Sequence, residues 1–281
     1  MGTYSRVRPR SRGLSIGRIL IALVVAGFAL ISYFGSSAYN PVTDEEQRVA
    51  ITPEQEIALG LQSAPELTQQ YGGLHPDQEA QAYLDQICQD IISNSQASET
   101  EYPFECSLLD DPQTINAFAL PGGPVFITSA LFSELETPGQ VAGVMAHEIG
   151  HVVARHSAQQ IARMQLAQGL SGAAVIATYD PNDPRSQQTA QVAAMISQVV
   201  NMQFGRDDEL QSDRLGVRFM ADAGYDPRSM LRVMEVLAQA SEGNRPPEFF
   251  STHPNPENRM ARIEEAINER FPNGVPDGLE Q

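Results

Sequence analysis

The chain has 281 residues, 42% of them apolar and 19% charged. That is enough for one ordinary domain with a sizeable core, or two small ones, and excludes a disordered chain. Thirty-five acids against 18 bases give a net charge of −17, which argues against nucleic acid and anionic lipid headgroups as partners.

All 18 bases are arginine. Five of them (Arg6, Arg8, Arg10, Arg12, Arg18) precede an uncharged apolar run from Ile19 to Phe34, and no acid occurs before Asp44. As a helix, residues 19–38 would span about 30 Å, one hydrocarbon core. The arginines then place residues 1–18, an Arg-rich tail, in the cytoplasm and the body outside it. Two readings of 19–38 stand: a signal-anchor that stays in the membrane, or a signal peptide cleaved near Ser36-Ser37-Ala38. The length of the apolar run favours the anchor. Residues 39–53 read as a linker and 54–275 as one helix-rich domain. Two cysteines, Cys88 and Cys106, are too few to staple a chain of this length. Paired, they would close a loop worth about 3 kcal/mol; two buried thiols are the alternative.

Pro53 sits where a helix can start, and a second helix is predicted from about Asp77 to Ser93 on the spacing of Ala80, Tyr83, Leu84, Ile87 and Ile91. After Pro103 the pattern shortens. Residues 104–111 alternate, and 115–128 hold two apolar runs around Pro121-Gly122-Gly123-Pro124, which predicts a small sheet whose last two strands meet at that turn. From Thr128 onward the chain reads as helical, with breaks at 137–139, 179–184, 224–227 and 243–256. Residues 166–179 are apolar but too short to span a membrane and read as a core or packing helix.

The chemistry is concentrated at His147-Glu148-Ile149-Gly150-His151. In a helix the two histidines stand one turn apart on one face and can share a metal ion. Glu148, turned about 100° away, sits where a general base can serve a metal-activated water. The host helix is otherwise apolar, so these groups are buried and need a partner. His156 falls on the opposite side of a continuous helix and reads as a structural or helix-end residue. A catalytic zinc needs a third protein ligand. Glu209 and Asp213 are spaced i, i+4, so one can ligate while the other accepts the N–H of a ligating histidine; Asp207 and Asp208 compete on composition. His253, fixed by Pro254 and Pro256, and Arg259 can stabilise an oxyanion.

Together, Asn116 to Gly123, His147 to His151, Glu209 with Asp213, and His253-Pro254 resemble the M48 family of zinc metallopeptidases. The likeness is to its single-membrane-segment or periplasmic quality-control members, and it runs from about residue 50 to 270. It implies an α+β, zincin-like fold, mostly helical with a small sheet. It implies one Zn2+ per chain on His147, His151 and Glu209, with Glu148 as catalytic base and Asp213 behind the ligands. His253 would either stabilise the transition state or reversibly cap the metal. Asn116, Ala117, Phe118 and Ala119 would form the edge strand on which an extended polypeptide lies, consistent with the unpaired groups any edge offers. The implied activity is zinc-dependent endopeptidase cleavage of unfolded or misassembled envelope proteins, by an enzyme anchored in the inner membrane or released to the periplasm. The alternative is a metal-stabilised chaperone or assembly factor with latent peptidase activity.

Overall fold

A computed structural model describes residues 16–178, 204–241, 247–254 and 258–281. The chain divides into two compact units, residues 1–36 with 163–201, and residues 37–162 with 202–281. The first contains α1 (Ile16–Gly35) and the later part of α6 (His156–Thr178). Helix α1 has a mean hydropathy of 2.1 and, among the described residues, is the one helix long and apolar enough to cross a membrane. The Arg-rich residues before it and the expected break at 179–184 lie outside the described residues.

The second unit begins with a hairpin where a linker was expected. Strands β1 (Ser37–Asn40) and β2 (Glu45–Arg48) pair antiparallel. Neither has an alternating apolar pattern; the hairpin is held by distant backbone instead. Asn40 Nδ2 donates to Val153 O at 2.8 Å and Gln47 Nε2 to Ala154 O at 3.0 Å. Helix α2 (Pro53–Gln70) starts with Pro53 in its first turn and a reciprocal Thr52–Gln55 capping box. Helix α3 (Gln78–Asn94) is capped by Asp77, and the Cys88–Cys106 disulfide ties it to β3 (Glu105–Leu109).

The sheet has the order β3-β5-β4. The fully buried β5 (Pro124–Thr128) lies parallel to β3 and antiparallel to β4 (Ala117–Ala119), which forms an edge. The turn between β4 and β5 rests on α2. Gly122 has φ +79°, and a Cβ there would lie 2.3 Å from Ile57 Cα, so only glycine fits.

Thr128 caps α4 (Ser129–Glu134), and Thr137 with Gln140 caps α5 (Pro138–Val153). All of α5 from Gly139 to Val153 is buried. The later helices are α7 (Arg206–Ala223), α8 (Ser229–Ser241), α9 (Phe249–Thr252) and α10 (Arg259–Arg270). Helix α7 ends at Gly224 in the left-handed conformation, as expected; the expected break at 243–256 is only partly described, and α9 lies within it. Helices α5 and α7 touch through glycines. A Cβ on Gly150 would meet Ser212 O at 3.2 Å, and one on Gly216 would meet His147 N at 3.4 Å. This close crossing sets residues 209 and 213 opposite residues 147 and 151.

Candidate metal centre

His147 and His151 project from one face of α5 with their Nε2 atoms 3.1 Å apart. From α7, Glu209 reaches both: Oε2 is 3.5 Å from His147 Nε2 and Oε1 is 3.4 Å from His151 Nε2. His253, at the end of α9, adds Nδ1 at 3.1 Å from Glu209 Oε1. One ligand atom from each of these four buried residues lies within 4.8 Å of the others. A tetrahedral zinc with arms of about 2.0–2.1 Å separates its ligand atoms by about 3.3 Å. The spacings of 3.1–3.5 Å match that edge.

The hydrogen-bond inventory also fits a cation. Both oxygens of the fully buried Glu148 and His253 Nε2 have no hydrogen-bond partner, which is costly in a protein interior. Three buried carboxylates (Glu148, Glu209, Asp213) face one buried guanidinium, Arg259. With the histidine rings neutral, as metal binding requires, a divalent cation would balance that excess of negative charge.

Behind the ligands, His147 Nδ1 lies 2.9 Å from Asp213 Oδ1. Arg259 donates to Asp213 through Nε at 2.8 Å and Nη2 at 2.9 Å, and its Nη1 lies 3.2 Å from Glu209 Oε2. Arg259 thus braces both carboxylates of α7. Burial would raise the Glu209 carboxyl, but the charge of His253 and the bonds to His147 and His151 hold it well below the usual range. The same contest, won by Arg259 and His147, lowers Asp213. Burial pushes His151 well below its ordinary value, keeping the ring neutral. Burial likewise raises Glu148, whose Oε1 lies 3.6 Å from His253 Nε2.

Three contributors escaped the sequence reading. Phe204 lies with its ring 4.3 Å from His151, and Phe249 stacks on His253 at 4.4 Å; no local spacing marks either. The third is His156. Helix α5 stops at Val153, and Arg155 takes φ +58°. His156 therefore does not continue on the far side of the same helix, as expected; its Nδ1 lies 2.9 Å from His151 Nδ1.

On the sheet, Asn116 O and Leu120 N bond to β5, so the backbone groups of Ala117 and Ala119 point away from β5; Ala117 is fully buried and Ala119 half-buried. Phe118 turns its ring onto Phe126 and Tyr71, and Asn116 Nδ2 donates to Tyr71 Oη at 3.2 Å. At the start of this edge, Phe249 N donates to Ile115 O at 3.3 Å. The segment carrying His253 therefore reaches both the candidate metal ligands and the chain just before β4.

The model for peptidase family M48 matches residues 78–267. The beta-barrel assembly-enhancing protease of Escherichia coli K12 is 33% identical over 196 residues, covering 68% of this chain and 39% of that protein. The mitochondrial metalloendopeptidase OMA1 of Schizosaccharomyces pombe is 28% identical over 273 residues, covering 95% of this chain and 76% of that protein. The chain thus spans about two fifths of the length of the first of these relatives.

Proposed function

The chain belongs to peptidase family M48, and from that premise we propose that it is a zinc-dependent endopeptidase acting on extended segments of unfolded or misassembled envelope proteins. The observation that carries this reading is the convergence of His147, His151 and Glu209 beside Glu148. When bound by these three, zinc supplies a Lewis acid that polarises the scissile carbonyl and acidifies a water. Glu148, its carboxyl raised by burial, accepts that water's proton and passes it to the leaving amine. Substrate pairs its backbone with the outer edge of β4 at Ala119, which keeps some exposure where Ala117 is buried. Asp213 keeps the His147 ring oriented, and Arg259 keeps Asp213 and Glu209 in place. In the open site His253 donates to the developing oxyanion.

The envelope assignment draws on the protease named for beta-barrel assembly, on the apolar α1 and on the arginines before it. The Cys88–Cys106 disulfide favours an oxidising compartment. We place the body on the extracytoplasmic side of the inner membrane, with helix α1 retained as the anchor.

A second reading is supported by His253, which faces Glu209 while its segment bonds Ile115 O just before β4. In this closed arrangement the chain would hold zinc with four ligands and act as a latent peptidase or assembly factor. One experiment addresses both. Full-length protein, wild type beside Glu209→Ala and Glu148→Gln, is assayed for zinc content and for cleavage of an unfolded protein. We expect about one zinc per chain in wild type and Glu148→Gln and depletion in Glu209→Ala. Turnover in Glu148→Gln should fall by at least about 10²-fold. Wild-type cleavage by Glu148→Gln would sink the mechanism. Undiminished capture of unfolded protein, with no cleavage even by wild type, would favour the latent form.

A further inference from the structure

Chain geometry just past the metal-ligand helix brings a third histidine into this site. An unbroken helix would carry residue 156 about 140° round the axis from residue 151. Instead the helix breaks at Ala154 and Arg155, and the break is pinned. Arg155 Nε donates to Glu56 Oε2 at 3.0 Å and Nη2 to Ile51 O at 2.8 Å, while Tyr102 Oη donates to the same Glu56 oxygen at 2.6 Å. Glu56 is 1% exposed. The reversal swings His156 back, fully buried, with Nδ1 2.9 Å from His151 Nδ1. Its Nε2 lies 2.9 Å from Gln211 Oε1, and Gln211 Nε2 donates to Glu45 Oε2 at 2.7 Å.

With the His156 ring neutral, the direction of every hydrogen bond in this chain follows from its last member. A carboxylate only accepts, so Glu45 faces the Gln211 NH2 group and leaves Oε1 toward His156. An amide oxygen also only accepts, so His156 carries its proton on Nε2. A neutral His156 then offers a lone pair at Nδ1, and His151 must donate Nδ1–H into it. This leaves His151 Nε2, which faces His147 and Glu209, with its lone pair directed at the metal position.

We infer that His156 is a positioning residue for the metal ligand His151: oriented by Gln211 and Glu45, it accepts the His151 Nδ1–H and holds that ring in the Nε2-ligating tautomer. His147 receives the same service from a carboxylate, Asp213. The two ligands are thus held by different chemistries, one charged and one neutral. The Ser212 hydroxyl, 3.3 Å from His156 Nδ1, is a second neighbour of the accepting lone pair.

This inference rests on the reading of His151 as a metal ligand, and its first readout needs no metal. The chain has five histidines, so 15N-histidine labelling of the metal-free full-length protein can resolve their tautomers. We expect His151 as Nδ1–H and His156 as Nε2–H; finding His151 as Nε2–H overturns the inference. The second readout is zinc affinity by chelator competition. His156→Ala should bind zinc about 10–100-fold more weakly. His156→Asn, which keeps an acceptor at the δ position, should stay within about threefold of wild type and rescue the tautomer. Wild-type affinity in His156→Ala, or an Asn variant as weak as Ala, overturns it as well. Should His156→Ala fail to fold by circular dichroism, Gln211→Leu replaces it. That variant should mix the His156 tautomers, and an unmixed spectrum goes against the relay. A wild-type protein that binds no zinc yet shows the expected tautomers would fail the peptidase reading alone.

Discussion

Zinc uptake by the metal-free protein should release one proton per chain in mildly alkaline buffer, and that proton should come from His147. Burial alone would keep the ring neutral. The bonds to Asp213 and Glu209 outweigh it and push the His147 pKa up to about 9. His151 shares Glu209 but has no carboxylate on its other nitrogen, and burial leaves it well below 6.5. At pH 8 a group with a pKa of about 9 is about nine-tenths protonated, so about 0.9 proton must leave when the ring nitrogen turns to the metal. Zinc affinity should then rise almost tenfold per pH unit and level off above pH ~9. Titration calorimetry in buffers of different ionisation enthalpy counts the proton directly. Asp213→Asn removes the charge that favours the imidazolium and should cut the release to well under half a proton; Glu148→Gln should leave it unchanged. No release from wild type, or full release from Asp213→Asn, would refute the argument, and loss of the release in Glu148→Gln would assign the proton to the wrong residue.

Other expectations concern stability. Gly122→Ala must adopt a positive φ and push against Ile57, so thermal unfolding should show a loss of about 2–5 kcal/mol; an unchanged Tm would mean that the turn does not rest on α2. Replacing Cys88 and Cys106 together by serine should cost about 3 kcal/mol, and insensitivity of the wild-type Tm to reductant would contradict a closed bond. Asp226 accepts from Arg228 N and Nε, both at 2.9 Å; burial would raise its carboxyl, but these bonds lower it below 3.8. A carboxylate with a lowered folded pKa stabilises the fold above its unfolded pKa and loses that contribution as pH falls through the folded one. The Tm gap between wild type and Asp226→Asn should therefore be full near pH 7 and shrink below pH ~4; a gap that widens in acid would reverse the sign.

The parts of the site that share a local period were legible in the sequence. His147, Glu148 and His151 are fixed relative to one another by one helix, and Glu209 and Asp213 by another. The caps at Thr137 and Asp77, the strand at 105–109 and the Pro-Gly-Gly turn also follow from short-range chemistry. What escaped depends on contacts far apart in the chain. The β1–β2 hairpin exists because Asn40 and Gln47 find the carbonyls that end α5 more than a hundred residues away. His156 was misread because a left-handed arginine, rather than a glycine, breaks the helix. Its break is anchored by Glu56 and Ile51, which no pattern around residue 155 reveals. The parallel pairing of β3 with β5 is likewise a tertiary outcome; each strand alone shows only its apolar side chains.

The position of the disulfide in the chain bears on when the metal can arrive. Cys88 and Cys106 both precede every member of the ligand group. Chains emerge from the N-terminus onward, so the bond between α3 and β3 can close while His147 is still to come. Strand β5 then meets a β3 already fastened in place. The three proposed ligands, in contrast, are all present only once Glu209 has been delivered, 103 residues after Cys106. On the proposed ligand set, oxidation is thus available early and metal capture only late, so the ion would be drawn from the compartment in which the finished body folds.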